Sequence, residues 1–361
     1  MILPSRGPTA QAPSHQPAQR WGPDHLRLHR HLLRHPELLP AGATLLLALS
    51  GGQDSMALLA LLHDLGRLHQ WSLRLWHGDH RWRPDSSHQA AELERWTASL
   101  GLELHIDTWE PPTTQNGRDP RNEAGARQWR YGQLEARARA LGATHVVTAH
   151  TASDRAETLL LHLARGSHRR GLASLRGQRP LSPAGEDSTP ILLTRPLLTF
   201  SRADTARLCS QLGLPVWTDP SNSERRFSRN RIRAEVLPVL EELHPGAAQR
   251  ISAQAERLVE EVNNRDALVD LALQGLGAGG RELALRRPEL VRQDAATQRQ
   301  LLHRWIERLT GQALTARPLE ELLPRLQAGQ PPGTTALRAG WQLRWDRCTL
   351  WLNPPSPHPT Q

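Results

Sequence analysis

Six consecutive residues, Ser50-Gly51-Gly52-Gln53-Asp54-Ser55, place two hydroxyls, two glycines and a carboxylate between an apolar run, Leu45 to Leu49, and a helical pattern carried by Met56, Leu58, Leu59, Leu61 and Leu62. A buried strand feeding a glycine-rich turn at a helix N-terminus is an anion site. The first-turn N–H groups point outward, the glycines let backbone approach the ligand, and the helix dipole favours negative charge. Asp54 would be repelled by bare phosphate, so its presence predicts a metal ion between the two. Further along, His150 precedes a helical pattern in which Asp154 and Glu157, three residues apart, share a face near the N-terminus. Two acids there either complement the dipole or supply a second metal or nucleotide contact. His77, Asp79 and His80 follow another apolar run. They are too few for a zinc site, which leaves a solvated loop or a frame for the nucleotide.

The charge balance is compatible with a polyanionic partner and equally with solubility alone. The chain of 361 residues carries a net charge of +9. Its 45 basic residues are all arginine, which excludes a Walker-A lysine and Schiff-base chemistry. Guanidinium groups pair bidentately with phosphate and stack on bases. Two clusters stand out: Arg118, Arg121, Arg127 and Arg130 around Trp129 and Tyr131, and Arg225, Arg226, Arg229, Arg231 and Arg233. Basic residues interleaved with aromatics suit RNA contact. Cys209 and Cys348 are the only cysteines, so no disulfide framework or C-x-x-C pair exists. No apolar run reaches the length of a membrane span. The first twenty-odd residues, rich in Pro, Gln and Ala, read as a tail, and a cytoplasmic location is expected.

These groups need a frame that brings strand ends together. Strands are expected at Thr44–Leu49, Ser72–His77, Leu102–Asp107 and Thr144–Ala149. Helices are expected at Asp24–Arg34, Ser55–Leu68, Ser86–Leu100, Asn122–Leu141 and Ser201–Leu212. Strands alternating with helices indicate an α/β fold, a Rossmann-like parallel sheet with ligand at the strand C-terminal ends. The polar groups at Ser50, His77 and His150 each follow a strand, as that rule asks. Arg176 to Pro190 reads as a Pro/Gly/Ser-rich loop. One long helical pattern runs from Glu235 to about Leu273. The last hundred residues read as a helical linker's small α+β companion, with helices at Gln298–Leu309 and Pro318–Leu326 and a hairpin from Trp341–Trp345 to Thr349–Leu352.

Together these segments resemble the tRNA(Ile)-lysidine synthases, within the N-type ATP-pyrophosphatase (PP-loop) superfamily. The Ser50–Ser55 loop matches the superfamily. More specific are residues 77–86 (His-Gly-Asp-His-Arg-Trp-Arg-Pro-Asp-Ser), 123–131 (Glu-Ala-Gly-Ala-Arg-Gln-Trp-Arg-Tyr), His150 to Thr158 with Leu163–Gly166, Arg195-Pro196-Leu197-Leu198, Asp219-Pro220-Ser221-Asn222 and 226–233 (Arg-Phe-Ser-Arg-Asn-Arg-Ile-Arg). They run in family order over roughly 43–238. The resemblance implies ATP as substrate with Mg²⁺, and as partners a CAU-anticodon tRNA(Ile) and free L-lysine. ATP would adenylate the C2 oxygen of the wobble cytidine, and lysine's amine would then displace AMP. Implied for ATP are Ser50, Gly51, Gly52, Gln53, Asp54, Ser55 and His77; for catalysis Asp54, Asp154 and Glu157; for metal Asp54 and Asp154; for tRNA Arg127, Arg130, Arg229, Arg231 and Arg233. The family often has a second histidine where Thr151 stands. The organisation expected is a tail and short helix (1–36), the ATP-binding catalytic domain (37–220), a basic segment and helical linker (221–273), a small tRNA-contacting domain (274–353) and a tail (354–361). Monomer and homodimer both remain open. The rival readings are a PP-loop tRNA thiolase, which would need working cysteines, and a non-catalytic RNA-binding protein with a vestigial nucleotide loop.

Overall fold

The computed structural model describes residues 21–81, 85–110, 123–181, 189–217, 228–278, 281–312, 314 and 316–355. Arg118, Arg121, Arg225, Arg226, the 219–222 segment and residues 82–84 lie outside them. By the density of contacts along the chain there are two units, residues 1–256 and 257–361.

The first unit opens with α1 (Pro23–Arg34), followed by β1 (Thr44–Ala48), α2 (Gln53–His69), β2 (Ser72–Asp79), α3 (Ser86–Ser99), β3 (Leu104–Thr108), α4 (Glu123–Ala140), β4 (His145–Val147) and α5 (Ala152–Ala164). A short α6 (Arg169–Leu172) leads to β5 (Gln178–Pro180), β6 (Leu192–Thr194), a 3₁₀ turn (Pro196–Thr199) and α7 (Arg202–Gln211). Next come α8 (Ser228–Arg231), a π-helical turn (Ile232–Val236), α9 (Leu237–Leu243) and the first residues of α10 (Ala247–Leu276), most of which belongs to the second unit. The sheet runs β3-β2-β1-β4-β6-β5. Every pairing is parallel except β5 against β6.

Alternation along β1 explains the layers. Leu45 and Leu47 enter a core with Leu58, Leu62, Leu197 and Phe200, while Leu46 joins Trp76, Leu134, Val146 and Leu193 in another. Successive side chains of a strand point to opposite faces, so helices must cover both. Each of these leucines contributes about 1.5–3 kcal/mol by leaving water. The strand order reverses direction beside β1, where β2 lies on one side and β4 on the other. That switch point is where ligands of such sheets bind.

Two expectations need correction. Residues 176–190 are not all loop, because β5 lies within them and pairs antiparallel with β6. Three-residue strands carry too little periodicity to announce themselves. The single long helix expected from Glu235 is broken, with α9 ending at Leu243 and α10 beginning at Ala247. Pro245 and Gly246 lie in the break, and Gly246 adopts φ 83°, a conformation helices do not continue through.

In the second unit, β7 (Gly277–Ala278) and β8 (Arg281–Arg286) precede α11 (Arg287–Val291), α12 (Ala295–Thr310) and α13 (Ala316–Leu322). β9 (Gly333–Ala336), β10 (Gln342–Trp345) and β11 (Thr349–Asn353) complete an antiparallel sheet ordered β7-β8-β11-β10-β9. The expected hairpin is β10–β11, with Leu343 opposite Leu352 and Trp345 opposite Leu350. Its inward side chains pack on Leu301, Leu302, Trp305 and Ile306 of α12. Among the described residues, no helix is long and apolar enough to cross a membrane.

Candidate active site

The loop 50–55 turns between β1 and α2 as its residue types require. Gly51 sits at φ 78°, where a side chain is strained. A Cβ there would also lie 3.2 Å from the ring of Trp217. The Trp217 amide donates to the Gly51 carbonyl at 3.0 Å, and its indole N–H reaches Glu92 Oε2 at 3.0 Å. Trp217 thus clamps the loop from outside, a partner that spacing in the sequence does not reveal. Ser50 Oγ and Ser55 Oγ are 3.1 Å apart, and the Ser55 hydroxyl donates to the Gly52 carbonyl at 2.8 Å. Gln53 Nε2 is tied back to the Arg202 carbonyl and Thr205 Oγ1 on α7.

Asp54 accepts a hydrogen bond from the Thr205 hydroxyl. Burial pushes its pKa up; Asp154 pushes the same way, while Thr205 and Arg202 oppose. A half-buried carboxylate with a second carboxylate nearby suits a hard cation, which takes oxygen ligands from one or two acids and substrate phosphates. Among the described residues, no three His, Cys, Asp or Glu side chains gather into a metal cage.

His77 ends on the same side. Its Nδ1 lies 2.8 Å from the Leu49 carbonyl, which only accepts, so Nδ1 carries the proton. Burial lowers its pKa, leaving Nε2 with a lone pair at neutral pH. Gly78 cannot carry a side chain, since a Cβ would lie 2.6 Å from the Trp76 ring. Asp79 accepts from the Arg81 amide and the Ser87 hydroxyl at the start of α3. It therefore closes the loop and opens the helix.

β4 delivers the acids. At the start of α5, Thr151 donates to Asp154 Oδ2 through its amide (2.8 Å) and its hydroxyl (3.0 Å). Thr151 thus orients the aspartate. Asp154 and Glu157 are both buried, and two arginines of one helical face meet them. Arg229 donates from Nε to Glu157 Oε2 at 2.7 Å and from Nη2 to Asp154 Oδ1 at 2.8 Å. Arg233 donates from Nε to Glu157 Oε1 at 2.6 Å and from Nη2 to Glu157 Oε2 at 2.9 Å and Asp154 Oδ1 at 3.4 Å. Four residues apart, the two straddle the junction of α8 with its π-helical turn, a geometry common at functional sites. Burial alone would raise the Asp154 pKa, but Arg229 and the other donors bring it below its ordinary value. Burial likewise holds His150 neutral against the pull of Asp154, and its Nδ1 is 3.0 Å from Thr148 Oγ1.

Not every expected group enters this cluster. Arg231 points away and pairs with Glu235. Arg130 meets His80 Nε2 at 3.0 Å. Arg127 lies over the Tyr131 ring, 5.1 Å from its centroid. Cys209 is buried, donates to the Gln53 carbonyl, and burial with Asp54 nearby pushes its thiol up to about 11.

A glycine-rich loop after β1 stands beside a buried acid pair after β4, and residues 27–240 match the PP-loop domain family. The fold is also that of a U34-tRNA thiolase, NcsA, from Methanococcus maripaludis, at TM-score 0.54 and 16% identity, covering 65% of this chain and 78% of that one. A curated tRNA(Ile)-lysidine synthase of Parasynechococcus marenigrum is 49% identical over 94% of this chain and 97% of its own length. Those of Synechococcus sp. and Prochlorococcus marinus are 42% and 39% identical over 88% and 92% of this chain. The chain belongs to the tRNA(Ile)-lysidine synthase family of PP-loop proteins.

Proposed function

We propose that the chain is a carbon–nitrogen ligase that converts the wobble cytidine of CAU-anticodon tRNA(Ile) to lysidine. ATP transfers AMP to the C2 oxygen and pyrophosphate departs. The amine of free L-lysine then attacks C2, the C2–O bond to AMP breaks, and a proton leaves the attacking nitrogen. The observation that carries this reading is the placement of two receptors on adjacent parallel strands: an anion loop after β1 and a buried carboxylate pair after β4.

The loop amides of 51–54 and the hydroxyls of Ser50 and Ser55 hold the β,γ-phosphates. Asp54 would hold Mg²⁺, which when bound offsets charge on the departing pyrophosphate. His77 frames the nucleotide from β2. Asp154 and Glu157 receive the lysine side chain, with Arg229 and Arg233 hydrogen-bonded to both acids until it arrives. His150, which burial holds neutral, stands beside Asp154 at the edge of this pocket. Arg127 and Arg130 line the RNA side, and Arg231 extends it outward.

Thiolase chemistry is disfavoured by the cysteines. A thiol raised to about 11 and buried is a poor nucleophile, and Cys348 belongs to the other unit. The deciding experiment combines the purified chain, Mg-ATP, labelled lysine and a CAU-anticodon transcript. Label entering the RNA is expected. Failure of lysine to enter, with a sulfur donor succeeding, would overturn the proposal.

A further inference from the structure

The ends of β1, β4 and β6 are neighbours in that order, and each carries a different chemistry. The anion loop follows β1, the acids follow β4, and Arg195 follows β6. Arg195 is 2% exposed. One of its Nη groups donates to the Arg176 carbonyl at 2.7 Å, while its buried Nε finds no acceptor among the described residues. The turn supplying that carbonyl contains Leu175 at φ 53°, an unfavourable conformation for leucine.

Two more guanidinium groups converge on the same place. Arg179 of β5 and Arg127 of α4 lie 5.2 and 5.1 Å from the centroid of the Tyr131 ring. The charged groups acting most on this phenol are Arg127, Arg195 and Arg179, which together draw its pKa down although burial opposes them. Burial in turn draws Arg195 down to about 10, with Arg179 and Arg127 adding to it. Three cations around one neutral phenol repel one another. Besides the Arg176 carbonyl, Arg195 hydrogen-bonds the Tyr131 phenol, a neutral partner, so its idle Nε–H still lacks the oxyanion that would complete its fork.

We propose that Arg195, Arg179 and Arg127, gathered round Tyr131 at the end of β6, form a receptor for a backbone phosphate of the RNA strand beside the target cytidine. The assignment rests on the function proposed above. Position favours RNA over ATP as the source of that phosphate. β6 stands two strands from β1, about 10 Å along the sheet, with the acids between. The polyphosphate of ATP is taken up on one side of the acids, and the receptor lies on the other. Tyr131 acts here as a positioning residue, its ring supporting two guanidinium groups and its phenol facing the third.

The chain has one tyrosine, so phenolate absorbance near ~295 nm reports Tyr131 alone (a readout in general use for phenols, which titrate near pH ~10). Adding a CAU anticodon stem-loop to the full-length protein, with the RNA-only titration subtracted, raises the phenol's midpoint, because the phosphate offsets the arginines. Mg-ATP or lysine alone leaves it in place. Arg195→Gln weakens stem-loop binding about tenfold and lowers the salt slope by about one, with Mg-ATP affinity unchanged. Tyr131→Phe removes the absorbance signal, confirming its source, and weakens RNA binding less. A midpoint moved by Mg-ATP or by lysine instead of RNA overturns the assignment, as does RNA affinity unchanged in Arg195→Gln. Should that variant misfold, the titration of the unaltered chain decides. Neither readout needs lysine transfer: if transfer fails while RNA moves the midpoint, the proposed reaction falls and the phosphate receptor stands.

Discussion

Two arginines, one in each unit, are buried to nearly the same depth and are treated in opposite ways. Arg287, 3% exposed, donates from Nε to the Leu326 carbonyl at 2.9 Å, from Nη2 to those of Gln327 and Gln330 at 2.9 and 3.1 Å, and from Nη1 to that of Asp346. Its charge is spread over four backbone oxygens from two separate segments, and it ties the end of the α13 segment to the β10–β11 turn. Arg195, 2% exposed, has one such carbonyl and an idle Nε. A buried polar group left unsatisfied costs about 1–3 kcal/mol, so folds complete the donor set unless something else is to complete it. The first arginine belongs to the architecture, and the second is left open for a ligand.

Breaking each in turn separates stability from function. The largest effect on folding is expected from Arg287→Ala, which removes a buried guanidinium bonded to four carbonyls and should cost about 4 kcal/mol. Urea unfolding followed by circular dichroism will show it as an early loss of the 257–361 unit. Next comes Glu157→Ala, which leaves two buried guanidinium groups short of a carboxylate, at about 3 kcal/mol. In that variant lysine transfer should fall further than pyrophosphate release, measured separately.

Arg195→Ala sharpens the contrast from the other side. One carbonyl and the Tyr131 phenol lose a partner while mutual repulsion is relieved, so stability should change by about 1 kcal/mol or less, with RNA binding impaired. A destabilisation matching that of Arg287→Ala would erase the distinction between the two sites.

Acid titration probes the paired carboxylates. Asp154 has a folded pKa below its ordinary value. Its contribution is therefore fully present above the unfolded value of ~3.9 and disappears as pH falls through the lower folded one. Thermal unfolding midpoints of Asp154→Asn should decline less steeply over that acid range than those of the parent. The smallest change belongs to Arg231→Ala. This side chain is exposed and paired with Glu235, and its loss should leave the unfolding curve in place while lowering the salt slope for RNA by about one.

Much of the first unit can be read directly from residue order, because strands such as Leu45–Leu47 and helices such as α2 carry strong periodicity and the 50–55 loop joins them. The acid pair was visible for the same reason, being three residues apart on one helix. What spacing cannot reveal is who answers those groups across the fold. Trp217 reaches Gly51 from more than 160 residues away, and Arg233 reaches Glu157 across 76. The basic run at 229–233 reads as an RNA surface, yet two of its members face inward to carboxylates because the helix presents one side to α5. β5 and β6 are short and owe their pairing to neighbours, and Arg195 gains its meaning only once Tyr131 and Arg179 lie beside it.

Guanidinium groups gather near the strand ends, Arg127, Arg179 and Arg195 round Tyr131 and Arg229 and Arg233 on the acid pair, in a chain without a single lysine. Guanidinium stays protonated and is a poor nucleophile at any pH the protein meets. In the proposed reaction an electrophilic carbon is generated among these side chains. Such a carbon would be captured by any neighbouring side-chain amine, covalently trapping enzyme on RNA. Here the only lysine amine that can reach it is the one brought in as substrate, so the wall that gathers anions is also chemically silent toward the intermediate it surrounds.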